Sequence, residues 1–292
     1  MSKIFGKTLA IEIDDKGSTL KSFFDKSLNK ELLWQGDEKS WTGQDVTIFP
    51  FVARQKDEKY CVDGKEYHMP LHGICCDYDF EIVEKTDSKV VHRYLWDEKS
   101  FALYPYKFDL YVVHEIKDDK YYKSMKVVNL DDKDIYFMLG GHPAIALDKE
   151  EGSICDTSKN YIQFPRKLSP SLYRLNETGH FILHKEKFQP FDRIYCDKKT
   201  MQEYKTLIFF DEKFDSLEVV RTDGIKIAFE LNNPPVLSFW SDENLGEYWC
   251  VEPWWGVPDM LEPVREIKDK AMINKLENGK SFEYTFTMKV VK

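Results

Sequence analysis

Residues 246–263 read GEYWCVEPWWGVPDMLEP, and they join a strand-like apolar run to residues that end regular structure. Glu252 follows the apolar residues 248–251, and prolines, tryptophans and a glycine come directly after it. We therefore expect Glu252 at the end of a strand, where the backbone leaves the sheet. Beside Val251 and Trp254 its carboxylate would be partly desolvated, which raises the pKa toward the range of a general base. The alternative is an exposed glutamate beside a tryptophan plug of the core, because aromatic clusters commonly pack.

Around this stretch, most of the chain alternates apolar and polar residues with the period of two that is typical of strands. Leu9, Ile11 and Ile13 share one face near the start, and the tail 282–290 alternates without interruption. Asp63 and Gly64 predict a hairpin turn within residues 60–67. No glycine-rich phosphate loop and no alternation of strands with helices is present, and only 262–274 offers a short helix. The pattern predicts an all-β meander of antiparallel strands.

Length and charge restrict the possible partners. With 292 residues, 42% of them hydrophobic, the chain can form one large all-β unit or two ordinary domains. Lys and Arg number 42 against 51 Asp and Glu, a net charge of −9, so nucleic acid is not an expected partner. No apolar run reaches the roughly 18 residues of a membrane span, and the first residues do not resemble a signal peptide. We expect a soluble, cytoplasmic protein that binds no membrane.

The six cysteines lack the paired spacing of a zinc site and are expected to be reduced thiols. Cys75 and Cys76 are adjacent and are predicted to point to opposite faces of a strand. His180 and His184 are four residues apart, but the strand-like alternation around them argues against a helical metal pair. The sequence therefore predicts neither a metal site nor a cofactor.

Three polar residues leave apolar runs at points suited to a ligand cleft. Arg54 follows the run 46–53 and offers a fork of five donors, although it could also cover an edge strand. His72 precedes Gly73, which lets the backbone approach a ligand, and its alternative is a histidine bonded to a carbonyl. His142 lies between the two glycines at 140–141 and Pro143, at a strand exit that suits a proton donor.

Three motifs taken in order, PLHG at 70–73, GGHP at 140–143 and VEPWWGVPD at 251–259, resemble the aldose 1-epimerase (galactose mutarotase-like) family. The segment FPFVARQKDEKYCVDGKEY precedes the first of them, and the likeness runs over essentially the whole chain. The sequence is most similar to the bacterial, lactose-operon-associated branch. The resemblance implies a large antiparallel β-sandwich with a sugar cleft across one sheet, and hence a single domain over residues 1–292.

The resemblance also implies roles for individual residues. Glu252 matches the general base of the family and His142 the general acid, while His72 and Arg54 match its substrate-holding histidine and arginine. Asp259 matches an aspartate of the closing motif that shapes the loop, and we also expect it among the substrate-binding residues. Trp254, Trp255 and Trp41 are candidates for stacking on the apolar face of a sugar, with at least one of the three expected in the core.

One family feature has no clear counterpart in this chain. Galactose-specific members hold sugar hydroxyls with an aspartate from the middle of the chain. Here the corresponding residues 204–216 read YKTLIFFDEKFDS, and Thr206 stands at the expected point, with Asp211 and Asp215 nearby. The identity of the sugar therefore stays open.

The resemblance implies interconversion of the α and β anomers of a hexose such as galactose, without metal, nucleotide or covalent intermediate. The ring opens when a base takes the proton of the anomeric hydroxyl and an acid protonates the ring oxygen. A hexose-phosphate epimerase would need additional basic residues beside His72 and His142, and the sequence offers none there. A carbohydrate-binding or regulatory homologue without turnover is the main alternative, and a purely structural sandwich is a weaker one. The expected partner is a monosaccharide, and the expected assembly a monomer or homodimer.

Overall fold

The structure, a computed structural model, describes residues 1–148, 159–242 and 247–291. Its strands follow one another along the chain with few helices between them. They are β1 Ser2–Phe5, β2 Leu9–Asp14, β3 Thr19–Asp25, β4 Lys30–Glu31, β5 Thr47–Ile48, β6 Lys59–Val62, β7 Lys65–His68, β8 Glu81–Lys85, β9 Lys89–Leu95, β10 Phe108–Lys117, β11 Lys120–Asn129, β12 Ile135–Phe137, β13 Leu139–Gly141, β14 Ala144–Ala146, β15 Tyr161–Leu168, β16 Ser171–Leu175, β17 Ile182–Lys187, β18 Phe191–Tyr195, β19 Leu207–Phe210, β20 Ser216–Val220, β21 Lys226–Glu230, β22 Val236–Trp240, β23 Tyr248–Trp255, β24 Asn274–Leu276 and β25 Ser281–Val291.

Two large sheets account for most of these strands. One has nine strands in the order β18-β15-β20-β21-β25-β11-β10-β9-β8. The other has eight strands, in the order β17-β16-β19-β22-β23-β13-β5, with β14 also paired to β23. Strands β1 to β4 form a smaller sheet, and neighbouring strands run antiparallel, as between β10 and β11 and between β22 and β23. The predicted all-β, antiparallel β-sandwich is confirmed.

Side chains from the two large sheets meet in one contiguous core that extends from Ile4 to Met288. In β10 and β11 the burial alternates along the strand, as expected when one face of an antiparallel sheet packs on the core. Trp255 of β23 contacts Phe282 of β25 at 4.9 Å between ring centroids. The eight-stranded sheet therefore buries one face against the nine-stranded sheet, and a smaller cluster of Trp34, Ala144, Tyr248 and Cys250 packs on its other face. The expectation of one domain over residues 1–292 stays a prediction.

The hairpin predicted at 60–67 forms as β6 and β7, with Asp63 and Gly64 at positive φ in the turn. Other local predictions were wrong. Cys75 and Cys76 lie in a short 3-10 helix, Cys75–Asp77, rather than in a strand. The segment 262–274 contains only a 3-10 turn, Ile267–Asp269.

Two helices were missed by the sequence analysis, α1 at Glu98–Leu103 and α2 at Lys198–Tyr204. Both begin with an aspartate cap that the strand-like pattern around them obscures. Asp97 accepts from the backbone N–H of Ser100, and the Ser100 hydroxyl accepts from the backbone N–H of Asp97 in return. Within the described ranges, no helix has the length and apolar character needed to cross a bilayer.

Candidate active site

The site is built on β23, which does not end where the sequence predicted. Glu252 lies inside the strand, since β23 continues through Pro253 to Trp255. The prediction failed because Pro253 was read as a strand breaker. On one side Pro253 is paired in register with Leu237 of β22. On the other side the ladder with β13 is interrupted, so the missing N–H of Pro253 removes no ladder hydrogen bond there.

The interruption places His142 beside Glu252. Strands β13 and β14 both pair with β23, through Gly140 with Trp254 and through Ala144 with Cys250. Both registers put His142 directly opposite Glu252, between two short stretches of ladder. The backbone N–H of His142 is donated to Oδ1 of Asp45 at 3.2 Å instead of to β23. The two predicted catalytic residues are therefore cross-strand neighbours.

The glycines before His142 allow close packing on both faces of β13. A Cβ on Gly140 would lie 2.7 Å from Cδ1 of Trp254, which lies across that residue on the site face. A Cβ on Gly141 would lie 2.6 Å from the ring of Phe286, on the core face. Neither position leaves room for a side chain, so both glycines are required by packing.

The side chains of His142 and Glu252 touch in a buried setting. Nε2 of His142 lies 3.1 Å from Oε2 of Glu252, and the two residues are 5% and 1% exposed. Among the described residues, no hydrogen bond of good geometry reaches either carboxylate oxygen or Nδ1 of His142. Buried polar atoms in native proteins almost always have partners, so these atoms await a ligand or a proton transfer.

Burial shifts the pKa values of both groups toward their neutral forms. Burial raises the pKa of Glu252 well above its ordinary value of 4.5; the nearby indole N–H of Trp254 acts in the opposite direction, and the negative charge of Asp45 adds to the increase. Burial lowers the pKa of His142 to about 4, and the positive charge of Lys123 contributes to the decrease. Both shifts act in the same sense and favour a protonated carboxyl group beside a neutral imidazole in the free protein.

A fully buried ion pair lies behind His142. Nζ of Lys123, from β11, contacts Oδ2 of Asp45, and neither side chain is exposed. Asp45 also accepts from the backbone N–H groups of His142 and Leu20. Asp45 lies in the segment that connects β4 to β5, and its carboxylate holds the backbone of His142, the candidate acid.

His72 and Arg54 lie on the same side of the site. The rings of His72 and His142 are 5.2 Å apart, edge to face. Nδ1 of His72 accepts from the backbone N–H of Ala53, which leaves the neutral ring with its proton on Nε2. Burial, and then the positive charges of His142 and Arg54, lower the pKa of His72 well below its ordinary value, so the ring is a neutral donor. Arg54 donates to Glu58 at 2.7 Å, while its buried Nε has no partner among the described residues.

Aromatic rings flank the acid–base pair. Trp41 and Trp240 lie 5.2 and 6.0 Å from the ring of His142, and both are half-buried. Trp254 is buried on the site face, with its indole nitrogen unpaired beside Glu252. Trp254 belongs to the core cluster, and the half-buried Trp255 packs against it, so at least one of the three tryptophans expected at the sugar site is a core residue.

Asp259 is engaged by protein groups on both of its oxygens. It accepts from Nζ of Lys270 at 2.9 Å and from the backbone N–H of Lys56 at 3.1 Å. Its backbone carbonyl accepts from Ile182 at 2.9 Å. These contacts tie the segment after β23 to the loop that carries Arg54. Asp259 therefore holds a loop of the site and does not present a free carboxylate to it.

Two residues of this face were missed or left unassigned. Thr206 precedes β19, and the register of β19 with β22 puts it opposite Trp240, in the row that continues to Cys250. Asp211 and Asp215 are exposed at the far end of β19 and beyond it, so neither replaces the aspartate that galactose-specific relatives use. The neutral Thr206 occupies that row.

Cys250 was treated only as a structural thiol, yet it lies two residues before Glu252 on the same strand face. One ligand atom each from His142, Cys250 and Glu252 lie within 4.8 Å of one another. The spacing rules used for zinc sites could not reveal this set, because its members come from two separate segments. Cys61, Cys75, Cys76 and Cys250 are free thiols, and Cys155 lies outside the described residues.

Comparison with known proteins agrees with the fold and the motifs. The chain is 25% identical over 296 residues to protein LacX, chromosomal, of Lactococcus lactis subsp. lactis, covering 95% of this chain and 96% of that protein. The plasmid-encoded LacX of the same organism matches to the same extent. A galactose mutarotase related enzyme from Lactobacillus acidophilus superposes with a TM-score of 0.93 at 22% identity, covering 100% of this chain and 97% of the other. A galactose mutarotase-like protein from Lactobacillus casei gives 0.91 at 23% identity, with both chains fully covered.

The LacX matches agree with the branch expected from the motifs. The sequence profile described as aldose 1-epimerase matches residues 4–289, nearly the whole chain. The fold, the ordered motifs and this match lead to one conclusion: the chain belongs to the aldose 1-epimerase family.

Proposed function

We propose that this protein is an aldose 1-epimerase that interconverts the α and β anomers of a hexose. One observation carries the proposal: an imidazole and a carboxylate, both buried and without other partners among the described residues, contact each other at 3.1 Å. Such a pair is costly to bury and contributes little to packing. Buried groups with strongly shifted pKa values that contact each other are typical of acid–base sites.

The reaction needs one acid and one base at the same time. The anomeric oxygen and the ring oxygen are both bonded to C1, so groups that stand side by side can reach both. In the productive state Glu252 is ionised and His142 carries the proton of the pair. Glu252 then takes the proton of the anomeric hydroxyl, the bond between C1 and the ring oxygen breaks, and His142 gives its proton to the ring oxygen.

The open-chain aldehyde rotates about the bond between C1 and C2 and closes by the reverse transfers, with the roles exchanged. No atom or electron is gained or lost, and the pair holds one proton at the end as at the start. The protein keeps water away from the pair, which strengthens its interaction with the transferring protons.

The surrounding residues are assigned binding roles in this proposal. The Nε2–H of His72 and the unpaired Nε–H of Arg54 donate to sugar oxygens, and the rings of Trp41 and Trp240 flank the apolar face of the sugar. Trp254 supports the carboxylate of Glu252 from within the sheet. Asp259 acts indirectly, by holding the loop of Arg54.

A carbohydrate-binding protein without turnover is the second candidate, and Thr206 is the observation that favours it. A neutral residue there cannot form a charge-assisted hydrogen bond to sugar hydroxyls, which reduces the binding energy available to orient the sugar ring. The free thiols accord with the cytoplasmic location that we also propose. The substrate would be a free monosaccharide, the protein a monomer or homodimer, and no nucleic acid or membrane partner is proposed.

Polarimetry tests the proposal directly. Freshly dissolved α-D-glucose and α-D-galactose change their optical rotation at a known spontaneous rate, and wild-type protein is expected to accelerate the change for at least one common hexose. Glu252→Gln is the control, because any acceleration that this variant retains comes from other acidic or basic groups, such as those on the protein surface. Sugar binding without any acceleration would favour the second candidate.

A further inference from the structure

The face of the eight-stranded sheet that carries Glu252 also offers a second chemistry besides acid–base transfer. Cys250, Glu252 and His142 bring a thiol, a carboxylate and an imidazole together, with one ligand atom of each within 4.8 Å of the others. All three residues are buried, with Cys250 at 0% exposure. The proton transfers described above do not require a cysteine. The thiol of Cys250 makes the cluster a candidate metal site.

We propose that His142, Cys250 and Glu252 form a binding site for a single thiophilic divalent cation, Zn²⁺ in the first place, and that the bound ion blocks the sugar site. The inhibitory part rests on the proposed function, whereas the binding part does not. The ion would occupy the acid and the base together, so it and the sugar would exclude each other.

Coordination chemistry supports this choice of ion. Zn²⁺ binds nitrogen, sulfur and oxygen ligands at about 2.0–2.3 Å, so two ligands of one tetrahedral ion lie about 3.3–3.8 Å apart. The separation of 3.1 Å between His142 and Glu252 is close to this range, and small side-chain rotations bring the third ligand in. Mg²⁺ and Ca²⁺ prefer oxygen ligands only and are poorly matched by a thiolate and an imidazole.

The strand geometry brings the three ligands together, so no loop has to close around the ion. Cys250 and Glu252 are two residues apart in β23 and therefore project from the same face. The register places His142 opposite Glu252 on the neighbouring strands. Three ligands from this rigid framework leave a fourth position for water, as in zinc sites with three protein ligands.

A second observation points to a ligand at this place. Both oxygens of Glu252 and Nδ1 of His142 are buried without a hydrogen-bond partner in the described part of the chain. On binding, the Cys250 thiol and the pair of His142 and Glu252 each release one proton to solvent, and the ion takes a carboxylate oxygen and one ring nitrogen. The ion would therefore engage groups that the rest of the structure leaves unengaged.

Cobalt substitution gives a readout that does not depend on sugar turnover. Metal-free wild-type protein is titrated with Co²⁺, and one equivalent is expected to give a thiolate-to-cobalt charge-transfer band in the near ultraviolet that Zn²⁺ abolishes by displacement. Cys250→Ser should lose the band and weaken binding by more than the roughly 10–100-fold that loss of an outer-shell partner costs. Cys61→Ser removes a half-exposed thiol elsewhere and should keep the band.

Kinetics test the consequence. Zn²⁺ should inhibit mutarotation competitively with the sugar, Mg²⁺ should not, and Cys250→Ser should keep the basal rate while losing most of the inhibition. Absence of the cobalt band in wild-type protein, or its persistence in Cys250→Ser, would overturn the proposal. So would zinc inhibition that is unchanged in Cys250→Ser.

Two further controls separate the possible failures. If Cys250→Ser does not give the near-ultraviolet circular dichroism of a folded protein, X-ray absorption on zinc-loaded wild-type protein decides, and a shell without sulfur refutes the site. A protein that shows the cobalt band but never accelerates mutarotation refutes the proposed function and leaves the metal site in place.

Discussion

Replacing Glu252 by glutamine should lower activity and raise stability, because burial of this carboxyl group helps catalysis and destabilises the fold. The amide preserves the shape of the side chain and removes the basic lone pair. A positioned general base contributes roughly 10²–10⁴-fold to the rate, so the mutarotation rate should fall by that factor. Polarimetry measures the rate, and a variant that keeps more than about a tenth of wild-type activity rules out Glu252 as the base.

The effect on stability follows from the raised pKa. The ordinary value is 4.5, and burial raises the pKa of the folded group well above it. Between these two values the unfolded chain has lost a proton that the folded chain keeps, so the free energy of unfolding decreases as pH rises. Each unit of separation corresponds to about 1.4 kcal/mol. Glu252→Gln lacks this decrease and should become the more stable protein as pH rises above 4.5.

The cost of the buried amide does not depend on pH and cancels when two pH values are compared. Between pH 4 and pH 7 the variant should gain up to about 3 kcal/mol over the wild type, since about 2.5 pH units separate the ordinary value from pH 7. At about 2–4 °C per kcal/mol, the difference is several degrees in Tm by calorimetry. Glu283→Gln, an exposed position on β25, is the matched control and should show no such change. A stability difference that stays constant or reverses with pH would refute the reasoning.

Further predictions concern the partner, the pH profile, metal dependence and packing. His142→Asn should lower the rate less than Glu252→Gln does, since water can protonate the ring oxygen; full activity in polarimetry would place the acid elsewhere. The wild-type rate at low substrate should be bell-shaped, because the pair gains a second proton as pH falls toward the lowered pKa of His142, about 4, and loses its single proton as pH rises through the raised pKa of Glu252. In His142→Asn the acid limb near the pKa of His142 should be lost, and the rate should instead rise as Glu252 ionises through its raised pKa, with no fall at alkaline pH; an alkaline limb that persists would point to His72 as the donor. Activity should survive a chelator, because the proton transfers need no ion, and a loss that one divalent cation restores would contradict this. Gly73→Ala should destabilise the fold by roughly 2–4 kcal/mol in denaturant titrations, because a Cβ would lie 2.0 Å from the carbonyl oxygen of Phe49 and φ is +86°; an unchanged midpoint would refute that packing.

The sandwich could be predicted because its signal is local. Alternation at Leu9, Ile11 and Ile13 reflects the two faces of one strand, and each of these residues is fully buried. The helices escaped because α1 and α2 are only six and seven residues long and depend on a cap rather than on apolar periodicity. A short cap motif inside a charged segment is a weak signal in a chain dominated by strands.

The site was predictable in its motifs and not in its geometry. PLHG, GGHP and VEPWW identified His72, His142 and Glu252 as candidates, but the contact between the last two depends on register across two strands. Pro253 does not end β23, because proline stops a strand only where its missing N–H would be needed. Cys250 and Asp45 contribute through long-range contacts, which spacing along the chain does not encode.

The buried pair of Lys123 and Asp45 means that the first 46 residues are not a detachable unit. Asp45 comes from the segment before β5, Lys123 from the nine-stranded sheet, and the backbone they steady belongs to His142 in the other large sheet. Removing one partner of a buried ion pair costs about 3–5 kcal/mol. A chain that begins at Thr47 would therefore hold an uncompensated ammonium group beneath its catalytic face. Supplying residues 1–46 as a separate peptide should restore the carboxylate of Asp45. The protein could therefore be split at this junction for fragment complementation. Restored mutarotation would report that the two fragments had reassembled.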